Sequence, residues 1–375
     1  MSPPLKICDL SPFYCETGGG IRTYHRARIS WFANQEKHQY VLVAPGPRFS
    51  VLQLAPTVTM VSVYGPRMTR DPDGYRLLFD YPAVRSVIGR LNPNVLEAGD
   101  PWFSGPFSLL LRRWGVFNGL LSSFYHSDGV ATYLGPRLAS QIVDWMHRQF
   151  FRMQSKFDVT VVASDVVRQQ LRARGVLNVV KAPFGVDPAL FDIPRRRAPL
   201  RRRVLYLGRL DADKEFNLVL DVLPDVLKRP DVFVTVVGKG RYQGRVANVR
   251  HPRFQYLGFI SDPRSVRSVY AAHDVLVAPG RFETFGLASL EAAAAGLVVI
   301  GPDAGGTGEM LRDIHSCLMF PAGDRAAFLE RILEAIDGDT AALAERSRAS
   351  AASYGTWQDA VARHVAVYEA LSVSA

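Results

Sequence analysis

Apolar positions recur along the chain in two rhythms, and their alternation predicts the architecture. Residues 5–10 (Leu-Lys-Ile-Cys-Asp-Leu) form a short apolar run suited to a strand. A turn and Gly18-Gly19-Gly20 follow, after which Ile21, Tyr24, Ala27 or Arg28, and Trp31 recur at helical spacing. Residues 40–44 read as a second strand. Strand, glycine loop, helix and strand make a βαβ opening, which calls for a parallel sheet. Later strands are expected at 94–96, 119–125 and 159–163, and residues 105–155 are mostly helical in character. The rhythm breaks near residue 185. Pro183-Phe-Gly-Val-Asp-Pro188 is turn chemistry, and the basic, proline-broken stretch 194–203 reads as a linker. The rhythm then restarts, with strands at 204–207, 232–237, 256–260, 275–278, 298–300 and 318–320 and a helix at 216–227. The 232–237 run is almost continuously apolar, as a strand covered on both faces should be. Residues 357–371 give a last amphipathic helix. The prediction is an α/β chain of two doubly wound, Rossmann-like domains, residues 1–190 and 200–354, with a C-terminal helix in 355–375 packing back on the first.

Length agrees with two domains, since 375 residues is long for one core. The 48% hydrophobic content is that of an ordinary globular chain. The apolar run 292–300 is far shorter than the roughly 20 residues a membrane-spanning helix needs. The N-terminus leads straight into a strand with no cleavable apolar signal, so a cytoplasmic protein is expected. Cys8, Cys15 and Cys317 have neither metal-ligand nor disulfide spacing, and the eight histidines are scattered. No cofactor and no metal are therefore expected. Charge is uneven: residues 1–190 carry 21 basic and 13 acidic side chains, a net +8 of the chain's +10. The first domain is thus the one suited to an anionic partner, although a basic face is often only a solvated one.

Three constellations carry chemistry. Gly208-Arg209 follows the strand at 204–207, and Lys214 comes five residues later; in a parallel sheet, ligands sit at that carboxyl edge. An arginine fork and a mobile lysine there suit a phosphorylated ligand. The segment 283–291 (Glu-Thr-Phe-Gly-Leu-Ala-Ser-Leu-Glu) follows the strand at 275–278 and the turn Pro279-Gly280. Amides of residues 284–287 would open a helix and bind an anion, and a carboxylate such as Glu291 can accept two neighbouring hydroxyls. The third is Ala304-Gly305-Gly306, where paired glycines allow backbone to approach a ligand closely.

In this order, Arg209…Lys214, Glu283…Glu291 and Ala304-Gly305-Gly306 resemble the retaining GT-B glycosyltransferases of family 4 (glycosyl transferases group 1). The resemblance extends to Gly18-Gly19-Gly20, Tyr125-His126-Ser127-Asp128, Ser164, Phe184-Gly185-Val186-Asp187…Phe191, Gly238-Lys-Gly240 and Gly258-Phe-Ile260, and so spans nearly the whole chain. It implies a GT-B fold whose two Rossmann-like domains face one another across a cleft. It also implies roles. Arg209 and Lys214, beside Gly208, would neutralise the donor's leaving diphosphate. Glu283, with the amides of Thr284, Phe285, Gly286 and Leu287, would hold the donor sugar and β-phosphate. Glu291 would bind ribose hydroxyls, and backbone around Phe259 would meet the base. Gly19 and Gly20 would let the first domain close over the phosphates. His126 would lie near the anomeric carbon, hydrogen-bonding the sugar or steadying developing positive charge; an imidazole at a strand end can also simply satisfy a buried carbonyl. The chain departs from the pattern at Gly280-Arg281, where serine is common, at Glu215, where glycine often follows the lysine, and at Cys317, where glycine is usual. Arg281 thereby becomes a candidate extra contact for sugar or phosphates.

The implied activity is metal-independent transfer of a hexose, with retained configuration, from GDP-mannose or UDP-glucose to a hydroxyl of a glycan or lipid-linked acceptor. Fixed cations would stabilise the leaving phosphate more in the transition state than in the ground state. The acceptor falls to the first domain, where Arg22 and Arg26 follow the glycine loop. Arg112, Arg113, Trp114 and Phe117 form one basic-aromatic cluster there, and Arg148, Phe150, Phe151 and Arg152 form another. Peripheral contact with the inner face of a membrane and plain snorkelling around a core helix are both open readings. A sugar-nucleotide epimerase would share the architecture without needing an acceptor. A nucleic-acid-binding protein would use the charge but leave Glu283, Glu291 and the glycine loops without a purpose, so no nucleic-acid partner is expected.

Overall fold

The computed structural model describes residues 3–15, 18–67, 75–100, 102–126, 140–194, 202–314 and 317–373. The linker positions 195–201 and the pair Ser127-Asp128 lie outside the described residues. The chain forms two compact units: residues 1–163, 167–182 and 358–375, and residues 164–166 and 183–357.

The first unit is built on an eight-stranded sheet of order β3-β4-β2-β1-β5-β6-β7-β8. Its strands are β1 (Lys6–Leu10), β2 (Gln39–Gly46), β3 (Ser50–Ala55), β4 (Val58–Tyr64), β5 (Val95–Ala98), β6 (Leu120–Phe124), β7 (Val159–Val162) and β8 (Val179–Lys181). All pairs are parallel except β3 with β4. Its helices are α1 (Gly20–Ala33), α2 (Tyr81–Leu91), α3 (Ser104–Arg113), α4 (Ser140–Gln154) and α5 (Asp165–Ala173). Local chemistry sets the ends of α2. The Asp80 carboxylate accepts the Ala83 amide at 3.1 Å, Pro82 sits in the first turn, and Asn92 ends the helix in the left-handed region. Core residues such as Leu10, Val43, Ile88, Leu96 and Leu121 come from strands and helices alike. Strand β3 is exposed on both faces, as only an edge strand can be.

The second unit repeats the plan with six parallel strands in the order β11-β10-β9-β12-β13-β14. They are β9 (Arg202–Leu207), β10 (Val232–Val237), β11 (Phe254–Tyr256), β12 (Val275–Val277), β13 (Val298–Pro302) and β14 (Leu318–Phe320). The expected strand at 256–260 is thus displaced. Pairing with β10 ends at Tyr256, and Gly258, at φ 68°, turns the chain so that its carbonyl accepts the Gly238 amide at 2.8 Å. The helices are α6 (Phe216–Val226), α7 (Gln243–Ala247), α8 (Pro263–Ala271), α9 (Leu287–Ala294), α10 (Gly305–Asp313), α11 (Arg325–Asp337) and α12 (Thr340–Ala351). A last helix, α13 (Trp357–Val373), belongs from residue 358 onward to the first unit. In each sheet the strand order reverses beside the unit's first strand, between β1 and β5 and between β9 and β12. A doubly wound sheet opens its ligand crevice at such a point, at the carboxyl ends of the strands.

Candidate active site

In the second unit the reversal point gathers the charged residues. The turn after β9 carries Gly208, Arg209 and Lys214, and the loop after β12 carries Glu283. Lys214 Nζ lies 2.6 Å from Glu283 Oε1, with both side chains partly exposed. Arg209 donates to the Asp213 carboxylate and stands 3.6 Å from that of Asp211. The Tyr206 hydroxyl donates to the Arg209 carbonyl at 2.6 Å. Burial first, and then the neighbouring Glu283 carboxylate, raise its pKa well above the ordinary phenol value. Each of the two cations is therefore held by carboxylates, and an incoming phosphate would have to replace those partners.

The two departures from the family pattern turn out to be partners. Glu215, buried and left-handed at φ 49°, accepts hydrogen bonds from the Arg281 amide at 2.9 Å and from Arg281 Nε at 2.7 Å. The guanidinium thus already has a carboxylate partner, which a donor would have to share or replace. The paired glycines also have a different neighbour from the one expected. A Cβ on Gly306 would lie 2.1 Å from the Thr284 carbonyl oxygen, and one on Gly305 would lie 2.4 Å from that of Arg281. The Gly306 amide donates to the Glu283 carbonyl at 2.7 Å. The close approach is to the backbone of the Glu283 loop, which the start of α10 supports from behind.

Gly286, at φ 90°, turns that loop into α9, so the helix begins at Leu287 and Thr284 and Phe285 precede it. Phe285 is buried edge-on against Phe184 and Tyr354. Glu291, in the second turn of α9, accepts the Tyr270 hydroxyl at 2.9 Å. Sequence reasoning misses Tyr270, which lies 21 residues upstream on α8 with no local pattern to mark it. Phe259 is partly exposed after β11, with Lys239 Nζ 4.4 Å from its ring centroid.

Burial pushes the Glu291 carboxyl up to about 7, with the Asp187 charge adding to the rise and the Tyr270 hydrogen bond opposing it. Hydroxyl donors favour the ionised form, so nucleotide affinity should rise with pH through that value and fall below it. Calorimetric titration of a nucleoside diphosphate from pH 8.5 to 5.5 is expected to show a loss approaching about tenfold per pH unit below the midpoint, relative to Glu291→Gln. Tyr270→Phe, which removes the stabilising donor, should move the midpoint upward. A wild-type to Glu291→Gln affinity ratio that stays flat across this range would reject the role.

In the first unit Gly19 and Gly20 open α1 and are exposed. A Cβ built on Gly19 would meet nothing within 4 Å, so no neighbour of the fold crowds this position. His126 follows β6, stacked on Phe124 at 4.4 Å and edge-on to Tyr24 at 5.0 Å. Burial lowers its pKa to about 4, which makes it a neutral imidazole near pH 7. The basic-aromatic clusters resolve differently from their sequence grouping. Phe117, Phe150 and Phe151 are core residues, and Arg112 is paired with Asp158. On the same two helical segments Trp114 and Trp145 are exposed, near the exposed Arg113 and Arg148. Among the described residues no helix is long and apolar enough to cross a membrane.

The family described as Glycosyltransferase Family 4 matches residues 18–190, and the one described as Glycosyl transferases group 1 matches residues 201–338. A GDP-mannose-dependent alpha-(1-6)-phosphatidylinositol dimannoside mannosyltransferase of Mycobacterium tuberculosis is 28% identical, over 99% of this chain and 97% of its own. A phosphatidyl-myo-inositol mannosyltransferase of Mycobacterium leprae is 32% identical over 57% of this chain and 59% of its own. Among solved structures, a sucrose-phosphate synthase from Thermosynechococcus elongatus superposes with a TM-score of 0.79 at 20% identity, covering 99% of this chain and all of that one. An Anabaena protein in complex with UDP-glucose gives 0.73 at 15% identity, covering 98% of this chain and 100% of that one.

Proposed function

Since the chain belongs to the GT-B glycosyltransferases of family 4, and is thus an enzyme that takes its sugar from a nucleotide donor, we propose that it transfers mannose from GDP-mannose, with retention, to a hydroxyl of an inositol-containing glycolipid. The transfer chemistry rests on one observation: the Lys214–Glu283 pair and Arg209 share the carboxyl edge of the second sheet where its strand order reverses. The donor base, the sugar and the lipid follow the names of relatives that match this chain along its length.

In the step proposed, the bond from sugar C1 to the β-phosphate oxygen breaks. The acceptor oxygen bonds to C1 on the same face, and its proton passes to the departing diphosphate. Arg209 and Lys214 meet the charge that grows on the diphosphate, the work a divalent metal does elsewhere, so no metal is required. Glu283 holds sugar hydroxyls, Glu291 the ribose diol, and the neutral His126 accepts or donates a hydrogen bond at the sugar. Trp114 and Trp145, each more than half exposed beside arginines, would rest the first unit on the anionic surface that presents the acceptor.

Calorimetry with GDP, UDP and ADP, followed by turnover of GDP-mannose and UDP-glucose in EDTA with and without vesicles carrying a mannosylated phosphatidylinositol, tests the reading. The expected result is GDP preferred by roughly tenfold or more, turnover only with the lipid, and no effect of EDTA. A preference for UDP would move the donor to the UDP-glucose type, and conversion of the donor to an isomeric sugar without acceptor would mark an epimerase. Failure to bind any nucleotide would remove the proposal altogether.

A further inference from the structure

The segments that carry Lys214 and Glu283 are joined at more than that one ion pair. Lys214 meets Glu283, Glu215 meets Arg281, and Gly280 lies so close that a Cβ there would be 3.3 Å from Lys214 Cα. Glu215 occupies the left-handed region, where a glycine would sit without strain and where residues with a side chain are uncommon. A glycine, however, would supply no carboxylate. That carboxylate uses both oxygens on residue 281, Oε2 accepting the amide at 2.9 Å and Oε1 accepting Nε at 2.7 Å. The same Nη2 that donates to Glu215 also lies close against Gly323, where a Cβ, at φ 83°, would fall 2.0 Å from it. Arg281 therefore has a fixed place, with its fork turned toward Glu215.

We propose that the Glu215–Arg281 pair is a positioning element of the donor site, which locks the loop bearing Glu283 to the turn bearing Lys214. The inference rests on the donor-site reading above. Neither residue touches the reacting atoms. Their effect is to complete the ordering of two loops before the donor arrives, so that the cation for the diphosphate and the carboxylate for the sugar are presented together. Loops ordered in advance lose less freedom on binding, and groups placed near their reacting positions raise turnover.

Glu215→Gly separates positioning from stability, because it removes the carboxylate while relaxing the backbone. The variant is expected to melt at or above the wild-type temperature, yet to raise the KM for GDP-mannose about tenfold and lower kcat/KM by roughly 30-fold, with the acceptor KM unchanged. Arg281→Ala should show the same donor-specific loss, and the double variant should be no worse than either single one, as members of one unit behave. Wild-type donor kinetics in both single variants would overturn the proposal. So would losses that track a lowered melting temperature in every variant, or that fall equally on donor and acceptor. If the wild-type enzyme binds none of GDP, UDP or ADP, the donor-site reading fails, and the pair's role falls with it.

Discussion

Alanine at Lys214 is expected to lower turnover by about 10²–10³ at saturating donor and acceptor, the usual cost of losing one fixed stabiliser of developing charge. Nζ sits 2.6 Å from Glu283, so the substitution does more than delete a cation. It leaves a carboxylate uncompensated where, in the step proposed, the departing diphosphate gathers further negative charge. Unit charges about 4 Å apart interact by roughly 4 kcal/mol at an effective dielectric of 20, enough to account for an effect of that size. The charge on phosphate grows during the reaction, so kcat should fall more than donor affinity. Stability should hardly change, because both partners are partly exposed and such pairs contribute at most about 1 kcal/mol. Lys214→Arg, which keeps the charge in a different shape, should recover part of the loss. Turnover of Lys214→Ala within about threefold of wild type, in a protein that melts normally, would remove Lys214 from the chemistry.

Much of this site can be read along the chain because it lies just past short apolar runs. Residues 204–207 are followed at once by Gly208 and Arg209, and residues 275–278 by the turn into Glu283. A parallel sheet buries the run and exposes the residues at its carboxyl end, so position and chemistry are written side by side. Pairings between distant segments leave no such trace. Glu215 and Arg281 stand 66 residues apart, and each taken singly is only a departure from the family pattern. Tyr270 reaches Glu291 from another helix. The glycines at 305–306 are legible as a close approach, but not what approaches them, because a missing side chain does not name its neighbour. The β3–β4 hairpin escapes for another reason. Val51, Leu52 and Leu54 are exposed on an edge strand, so neither a buried run nor a one-sided alternation marks it. Asp9 and Glu97 escape too: they sit inside apolar strands as register partners of β1 and β5, and their cation lies on a helix.

That cation, Arg28, supports the second large effect. It is 1% exposed, lies 2.7 Å from Glu97 and 3.3 Å from Asp9, and donates to the Tyr24 hydroxyl, which itself donates to Glu97 at 2.9 Å. Tyr368, from the C-terminal helix α13, donates to the other Glu97 oxygen. Burial by itself would raise the Glu97 carboxyl, but the charge on Arg28, with help from His364 and Tyr368, holds it well below the usual carboxylate range. Asp9 goes the other way, raised by burial and then by the Glu97 charge. One ionised carboxylate thus balances one guanidinium, and this network joins α1, β1, β5 and α13. Arg28→Met removes one partner of a buried pair, which costs about 3–5 kcal/mol. That corresponds to roughly 10 °C in the melting of the first unit. The pH dependence identifies the cause. In wild type the depressed Glu97 contributes stability that is present above its unfolded pKa and lost as pH falls. In the variant only His364 and the Tyr368 hydroxyl still oppose burial, so the native state binds protons more readily than the unfolded chain. Stability must then fall as pH rises from about 4.5 through the raised value. The deficit of Arg28→Met should therefore be larger at pH 7.5 than at pH 5, and Glu97→Gln in the same chain should recover part of it. A deficit under about 2 °C, or one that grows toward acid pH, would mean that Arg28 does not hold this network together. Tyr24 is also the ring against which His126 packs, and α1 is the helix that Gly19 and Gly20 open. On the role proposed for His126, a variant that still folds should lose turnover as well, because the same buried network holds the Tyr24 ring against which His126 packs.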